Sequence, residues 1–460
     1  MNQQWTLHVE DFARINSADI EISPLMCFVG DNNSGKSYIM SLLWGILTKC
    51  QMLFAGQKPD ETAIYVACKL WLSEHIGQEL VIGESVEKIY LNWFNELLNK
   101  HKRELMRQIF NYDVAIKKLE IKNFKRQKKL SVKIENNPYD QRLMLRERHN
   151  QKILSEESVG EVDSIELEIP LKEELLPKAL WRANVFICVR LIMMDWVKMF
   201  PIIDAPPMYL PASRTGFLLA RKEIARSSIT DKYSLKVDDM AFQETMTAPY
   251  IQYLDFLNSV SKSVEIRDEK KLGLIKFIIE EITNGQVLVK DEGRAIRYKP
   301  KGTRSELPMS VTSSVVTEIA PLQLLLTTNT PLRLLIIEEP EAHLHPQLQK
   351  KIAQLLIRFV HSDIPIWINT HSDTILHHFN NMIKLNNRLP AERKKLMKKF
   401  KYAEQDLLSP LEINIYQFQR NEKNTCITKL ESGKYGFIVP TFNDAIEELF
   451  DEIHDFQGDD

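Results

Sequence analysis

The ten residues Phe28-Val-Gly-Asp-Asn-Asn-Ser-Gly-Lys-Ser37 constrain this chain more than any other stretch, because a glycine-rich turn of this spacing works only between a strand and a helix. Both flanks meet that demand. Leu25 to Val29 reads as a buried strand, and Ile39, Leu42, Leu43 and Ile46 recur at the i, i+3, i+4, i+7 spacing of one apolar helix face. Gly30 and Gly35 let backbone N–H groups close around an anion, and the helix N-terminus adds the positive end of its dipole. A loop of this kind is built for the phosphates of a nucleoside triphosphate, ATP in the first instance. Asn32, Asn33, Ser34 and Gly35 are expected to wrap them, Lys36 to hold the β- and γ-phosphates, and Ser37 to ligate Mg2+.

A second segment supplies the chemistry that the loop lacks. Leu334-Leu-Ile-Ile-Glu-Glu339 is a continuous apolar run ending in two acids, the pattern of a central parallel strand buried on both faces. Catalytic groups belong at the carboxyl end of such strands. Glu338 is expected to help hold Mg2+, directly or through water, and Glu339 to polarise the attacking water. Pro346 opens a helix with Leu348, Ile352, Leu355, Leu356 and Phe359 on one face. Another apolar strand, Ile364 to Asn369, ends at Thr370-His371, where His371 is placed to reach the γ-phosphate or the water. His343 and His345, with Glu341, have spacing that fits a metal site, although a turn touching a neighbouring subunit is the better expectation.

The rest of the chain narrows the class. Its 460 residues allow about two to four domains, and the 44% hydrophobic and 27% charged residues suit a packed core in a soluble protein. A net charge of −2 gives no global pull toward nucleic acid or membrane, so such contacts must come from local patches. Lys117 to Lys133 and Lys384 to Lys401 each carry eight basic residues against one acid, balanced by an acidic segment from Asp444 onward. Five cysteines without a CxxC pair argue for reduced thiols in the cytoplasm and against structural zinc. No signal peptide is expected at the N-terminus, and the apolar stretch Ala179 to Ile203 carries too many charges to span a bilayer.

Organisation follows from periodicity. Thr6 to Val9 and Ala18 to Ile22 read as short strands leading into the loop, and Ala55 to Gln108 as mostly helix. Lys129 to Ile134 and Asp163 to Ile169 alternate strictly, which predicts half-exposed antiparallel strands. Tyr209 to Arg214 reads as a strand entering a Pro-bounded loop, residues 217 to 283 as helix, and Gln286 to Val289 with Ala295 to Tyr298 as a hairpin. The expected fold is α/β, a P-loop head with a mixed sheet and helical insertions. The head comprises residues 1–54, 205–216 and 284–460, with a helical and antiparallel-strand insertion at 55–204 and a helical one at 217–283. The segment Phe442 to Asp460, with eight acids, is expected to be a solvated terminal helix.

In this order the motifs resemble the ABC-type ATPases of the SMC/RecF and overcoming-lysogenisation-defect families, over residues 1 to about 50 and 205 to about 380. Gly30 to Ser37 matches Walker A, Ile336 to Pro346 matches Walker B and the segment after it, and His371 matches the switch histidine. Met309-Ser-Val-Thr-Ser-Ser314 resembles the signature loop, with Val315 where a glycine is usual and Glu338 where many heads carry Asp. The resemblance implies heads that sandwich two ATP molecules, with Ser313 and Ser314 contacting the γ-phosphate of the opposite subunit. A plain helix N-cap is the other reading of those serines.

Within the group the layout is most similar to compact bacterial anti-phage ATPases, above all the AriA family of PARIS systems. That implies a homo-oligomer, with a hexamer among its forms, which senses a phage-encoded trigger protein and releases a separate TOPRIM-type nuclease effector. A Septu-type ATPase would pair with an HNH nuclease instead. Fewer than 90 residues follow His371 and hold no Asp-x-Asp pair, so nuclease activity is expected from a partner. The rival is a RecF/SMC-like DNA-binding repair ATPase, motivated by the basic stretch Lys117 to Lys133. A transporter's ATPase subunit fits poorly with insertions of this size.

Overall fold

The computed structural model describes residues 3–55, 62–126, 129–137, 144–152, 161–170, 176–193, 207–233, 246–260, 266–290, 295–327, 332–433 and 436–439, with residues 452 and 456. The first part of the chain forms β1 (Gln3–Phe12), β2 (Ile15–Glu21), β3 (Leu25–Gly30), α1 (Lys36–Lys49), α2 (Tyr65–Glu74), β4 (Glu79–Val81) and α3 (Glu84–Phe110). Then come β5 (Lys118–Arg126), β6 (Lys129–Asn137), β7 (Met144–Lys152), β8 (Glu161–Pro170), α4 (Leu176–Met193), β9 (Met208–Leu210) and α5 (Arg214–Tyr233). Next are α6 (Ala248–Ser259), α7 (Glu269–Phe277) with a π-helical continuation Ile278–Thr283, β10 (Gly285–Lys290), β11 (Ala295–Pro300), β12 (Leu307–Pro308) and α8 (Ser314–Leu326). The last are β13 (Leu335–Glu338), α9 (Pro346–His361), β14 (Ile366–Asn369), α10 (Asp373–Asn386), α11 (Pro390–Phe400), β15 (Ile413–Arg420) and β16 (Thr425–Leu430).

A mixed sheet of nine described strands, in the order β5-β1-β2-β16-β15-β3-β14-β13-β9, organises the molecule. The run from β15 to β9 is parallel, and β1 pairs antiparallel with β2 and β5. Alternation along the central strands explains why their sequences are apolar throughout. Met26 and Phe28 enter one core with α1, α3 and α4, whereas Leu25, Cys27 and Val29 enter a second with α8, α9 and α10. Leu334 and Ile336 divide from Leu335 and Ile337 in the same way. A sheet covered on both faces needs apolar residues at every position. This is the expected α/β head with a mixed sheet.

Two expectations change in detail. The strand β5, placed by sequence inside the 55–204 insertion, is the edge of the central sheet, hydrogen-bonded to β1. The helices α2, α3 and α4 of that stretch share one continuous core with β1 and α1. The alternating strands β6 and β8 each have an antiparallel neighbour, β4 and β7, but pair with each other in parallel. Period-2 alternation fixes which face a residue takes and carries no information on strand direction. The predicted acidic helix from Phe442, and residues 194–203 of the apolar stretch, lie outside the described residues apart from positions 452 and 456. Among the described residues no helix is long and apolar enough to cross a membrane, and the five cysteines are unpaired, with only Cys426 exposed.

Candidate nucleotide-binding site

A cleft of about 620 Å³ opens at the carboxyl ends of β3, β13 and β14. One wall is the loop Asn32, Asn33, Ser34 and Gly35 with Lys36, Ser37 and Tyr38 of α1, and the other is Glu339, Asn369 and His371. The loop leaves β3 at Gly30, whose φ of +116° suits glycine alone. A Cβ there would stand 2.1 Å from the Phe418 carbonyl oxygen of β15. The same oxygen accepts from Asp31 N at 3.1 Å, so the turn is sewn to its neighbouring strand. Gly35, at φ +97°, forms the N-cap of α1 with no side-chain cap, so the first amides of that helix face the cleft without a protein acceptor supplied by a cap.

Lys36 is only 6% exposed. Its Nζ donates to the carbonyls of Gly30 at 2.8 Å and Asp31 at 2.6 Å, and it forms no ion pair among the described residues. Burial pushes its pKa down to about 8, against the pull of Asp31, Glu339 and Glu341. A buried ammonium held by neutral carbonyls is a site short of negative charge. Phosphate oxygens fit it.

Opposite the loop, Glu339 follows β13 with φ +43°, in the left-handed region, and its N–H donates to both the main-chain oxygen (3.1 Å) and Oδ1 (2.8 Å) of Asn369. Asn369 Nδ2 reaches Ser37 Oγ at 3.3 Å, which ties the two walls together. His371 N donates to Glu341 Oε1 at 2.7 Å. Burial and the nearby Lys36 hold the His371 imidazole below its ordinary pKa, so it is neutral at neutral pH, able to donate from one ring nitrogen and accept at the other. Glu341 is shifted upward by burial and has one oxygen without a hydrogen-bond partner.

The structure therefore gathers Asn32, Asn33, Ser34, Gly35, Lys36, Ser37, Glu339 and His371 in one cleft. Glu338 does not line it. Its carboxylate accepts from Tyr209 OH at 2.8 Å, Tyr250 OH at 3.0 Å and Ala212 N at 3.2 Å. Ser313 and Ser314 are exposed at the start of α8 and line no part of this chain's own cleft. Ser313 occupies the N-cap position, yet its side chain makes no capping bond, so the capping role that competed with phosphate contact is not filled.

Residues unsuspected from sequence complete the cleft: Ala13 and Arg14 from the β1–β2 turn, Tyr38, and Asn369. Asn369 stood one position before the Thr370-His371 step, and a strand-end asparagine there was the available signal. Among the described residues no group of three or more His, Cys, Asp or Glu is placed to hold a metal ion. A divalent ion here would rest on Ser37 and phosphate oxygens, the sparse protein ligation that Mg2+ tolerates.

A family model described as an AAA ATPase domain matches residues 222–376, which include Glu338, Glu339 and His371 and leave the loop at Gly30–Ser37 outside. No curated protein matches the chain. Among solved structures, an SMC head bound to the C-winged helix domain of ScpA is 11% identical, covering 93% of this chain and 98% of its own, with a TM-score of 0.35. An SMC head domain from Thermotoga maritima is 12% identical over 93% and 99%, with a TM-score of 0.34. An Smc head with an extended coiled coil, bound to the C-terminal domain of ScpA derived from Pyrococcus furiosus, is 12% identical over 98% and 100%, with a TM-score of 0.33. The strand–loop–helix cleft lies at the carboxyl ends of parallel strands in a mixed sheet, and the segment matched by the ATPase-domain model supplies the wall of that cleft opposite the loop.

Proposed function

We propose that this chain is an ATP-binding and ATP-hydrolysing scaffold of a PARIS-like anti-phage defence system, which senses a phage-encoded trigger and controls a separate, TOPRIM-type nuclease effector. The observation that carries the ATPase part is the buried Lys36 ammonium, held only by neutral acceptors, facing Glu339 and His371 across one cleft. Lys36 binds the β- and γ-phosphates. Glu339 accepts a proton from the attacking water, and neutral His371 orients that water or the γ-phosphate. Ser37 would hold Mg2+ together with phosphate oxygens, and the ion would neutralise phosphate charge; Glu338, its oxygens engaged by Tyr209, Tyr250 and Ala212, lies outside the cleft lining.

Two chains close around two nucleotides in this reading, Ser313 or Ser314 of each contacting the γ-phosphate held by the other. Closure creates the surface that holds the effector, and the trigger shifts that equilibrium. The size and layout of the chain support the defence assignment. The rival, a repair ATPase that grips DNA, leaned on Lys117 to Lys133. Much of that charge is spent locally: Lys117 pairs with Glu10, Lys118 and Lys122 with Glu120, and Lys133 with Glu135. Co-purification of the tagged chain from its native operon, wild type beside Glu339→Gln, with bound species identified by mass spectrometry, tests the reading. A stoichiometric nuclease subunit supports it, and recovery of nucleic acid alone overturns it in favour of DNA repair.

A further inference from the structure

Arg214 and Glu318 form an ion pair almost wholly out of solvent, Nε to Oε2 at 3.0 Å, with side chains 2% and 1% exposed. A buried pair of this kind stabilises a fold little better than well-packed apolar residues of the same volume, so its worth lies in the geometry it fixes. That geometry is specific. Arg214 begins α5, directly after the loop that leaves β9. Besides Glu318, its guanidinium donates through Nη1 to the carbonyls of Pro211 (3.1 Å) and Glu338, and through Nη2 to the carbonyl of Glu339 at 3.0 Å. The Glu338 and Glu339 carbonyls lie at the end of β13, and that of Pro211 just after β9.

Glu339 is thus clamped at both of its peptide groups. Its N–H is held by Asn369, which also touches Ser37 on the nucleotide side, and its carbonyl is held by Arg214. Between the clamps its backbone sits at φ +43°, a conformation that persists only where the surroundings impose it. The second clamp leads into α8. Glu318 lies four residues after Ser314, one turn along that helix, and its other oxygen accepts from Thr215 Oγ1 at 2.8 Å.

We propose that the Arg214–Glu318 pair is a positioning link that couples the start of α8, where Ser313 and Ser314 meet the partner's nucleotide, to the backbone of Glu339. The link rests on the two-headed ATPase reading above. Engagement of the partner's phosphate at the N-terminus of α8 sets the position of Glu318 one turn below. Arg214 passes that position to the Glu338 and Glu339 carbonyls. Packed interiors transmit such shifts rather than absorbing them. Each head then activates its own water only when its α8 has a partner, so hydrolysis at one site reports occupancy of the other.

The test uses the full-length chain. Glu318→Gln keeps the size of the side chain and removes its charge, and Arg214→Lys keeps a charge but loses the fork that reaches several carbonyls at once. Nucleotide affinity is expected to stay within about twofold while kcat falls ~10- to 100-fold, the range for an Ångström-scale displacement of a catalytic group. Folding is checked by thermal melting. Where either variant melts early, Thr215→Val, which removes one hydroxyl from Glu318, takes its place with the same expected direction.

A double-variant cycle supplies a readout that a merely structural pair would not move. Ser314→Ala and Glu318→Gln act on one path, so the double variant should turn over no more slowly than the worse single one. Losses that multiply overturn the link. So does wild-type kcat in a well-folded Glu318→Gln chain. Turnover that survives Lys36→Ala sinks the underlying ATPase reading instead, and with it the link, so the two failures are told apart.

Discussion

Nucleotide affinity should fall as pH rises through 8, and Lys36 sets the size of the effect. In the free chain burial holds the ammonium to a pKa of about 8. Bound phosphates restore the charge partner that the cleft lacks, returning the pKa toward its ordinary value near 10.4. Binding must therefore draw in a proton wherever the free lysine has lost one. Linkage gives about half a proton taken up at pH 8, about 0.9 at pH 9, and a roughly tenfold weaker affinity at pH 9 than at pH 7. Folding stability carries the opposite sign. The folded lysine gives up its proton near pH 8 while the unfolded chain keeps one to about 10.4, so this group's burial penalty is full below pH 8 and is relieved as pH rises toward 10.4. The assay is calorimetric titration with a non-hydrolysed ATP analogue from pH 7.5 to 9.5, in two buffers of different ionisation enthalpy. Lys36→Arg, which stays charged throughout, should flatten the profile. A wild-type affinity that is level over this range, with no proton uptake, refutes the placement of Lys36 against the phosphates.

Lys36→Ala should abolish nucleotide retention, whereas Glu339→Gln should retain ATP in a closed assembly; identical retention of labelled ATP in the two after gel filtration refutes the separate roles. Gly30→Ala should cost at least about 3 kcal/mol in urea unfolding, because the new Cβ meets the backbone oxygen of Phe418 at a φ that L-residues avoid. Tyr209→Phe leaves Glu338 Oε1 without its donor and should cost about 1–3 kcal/mol; an unchanged melting midpoint would show that the carboxylate re-pairs. Duplex DNA should bind only in the non-specific range of about 10⁻⁴–10⁻⁶ M at physiological salt, and a tight complex with a steep salt slope would revive the repair reading.

The parts of the fold written in contiguous residues were legible. Strands β3, β13 and β14 are apolar runs that end on chemistry, and their carboxyl ends bring Lys36, Glu339 and His371 together as the motif order implied. What escaped was settled by partners distant in the chain. Glu338 turns from the cleft because Tyr209 and Tyr250, which lie 129 and 88 residues away, take its oxygens. Arg14 reaches the cleft through a two-residue turn between strands, with Ala13 at φ +53°, and nothing in that turn's composition marks it. The direction of β6 against β8 was invisible for a similar reason, since alternation is the same in either orientation.

The occupied Glu338 changes what kind of ATPase the cleft can be. Among the described residues Glu339 is the one carboxylate lining it, and it sits on a backbone held from both sides. A metal ion entering alone would find a serine hydroxyl and one acid, too little to replace the water that Mg2+ gives up reluctantly. Ser37 would share the holding of such an ion with phosphate oxygens, whose charge Lys36 would balance in turn. In the proposed reading, binding would depend on the loop and the lysine, and hydrolysis on the carbonyl clamps around Glu339. Those two dependences rest on different residues and, through Glu318, on different helices. Under the proposed reading, nucleotide retention and nucleotide hydrolysis would then be separable by mutation, the first at Lys36 and the second at Glu339 and the groups that hold its backbone.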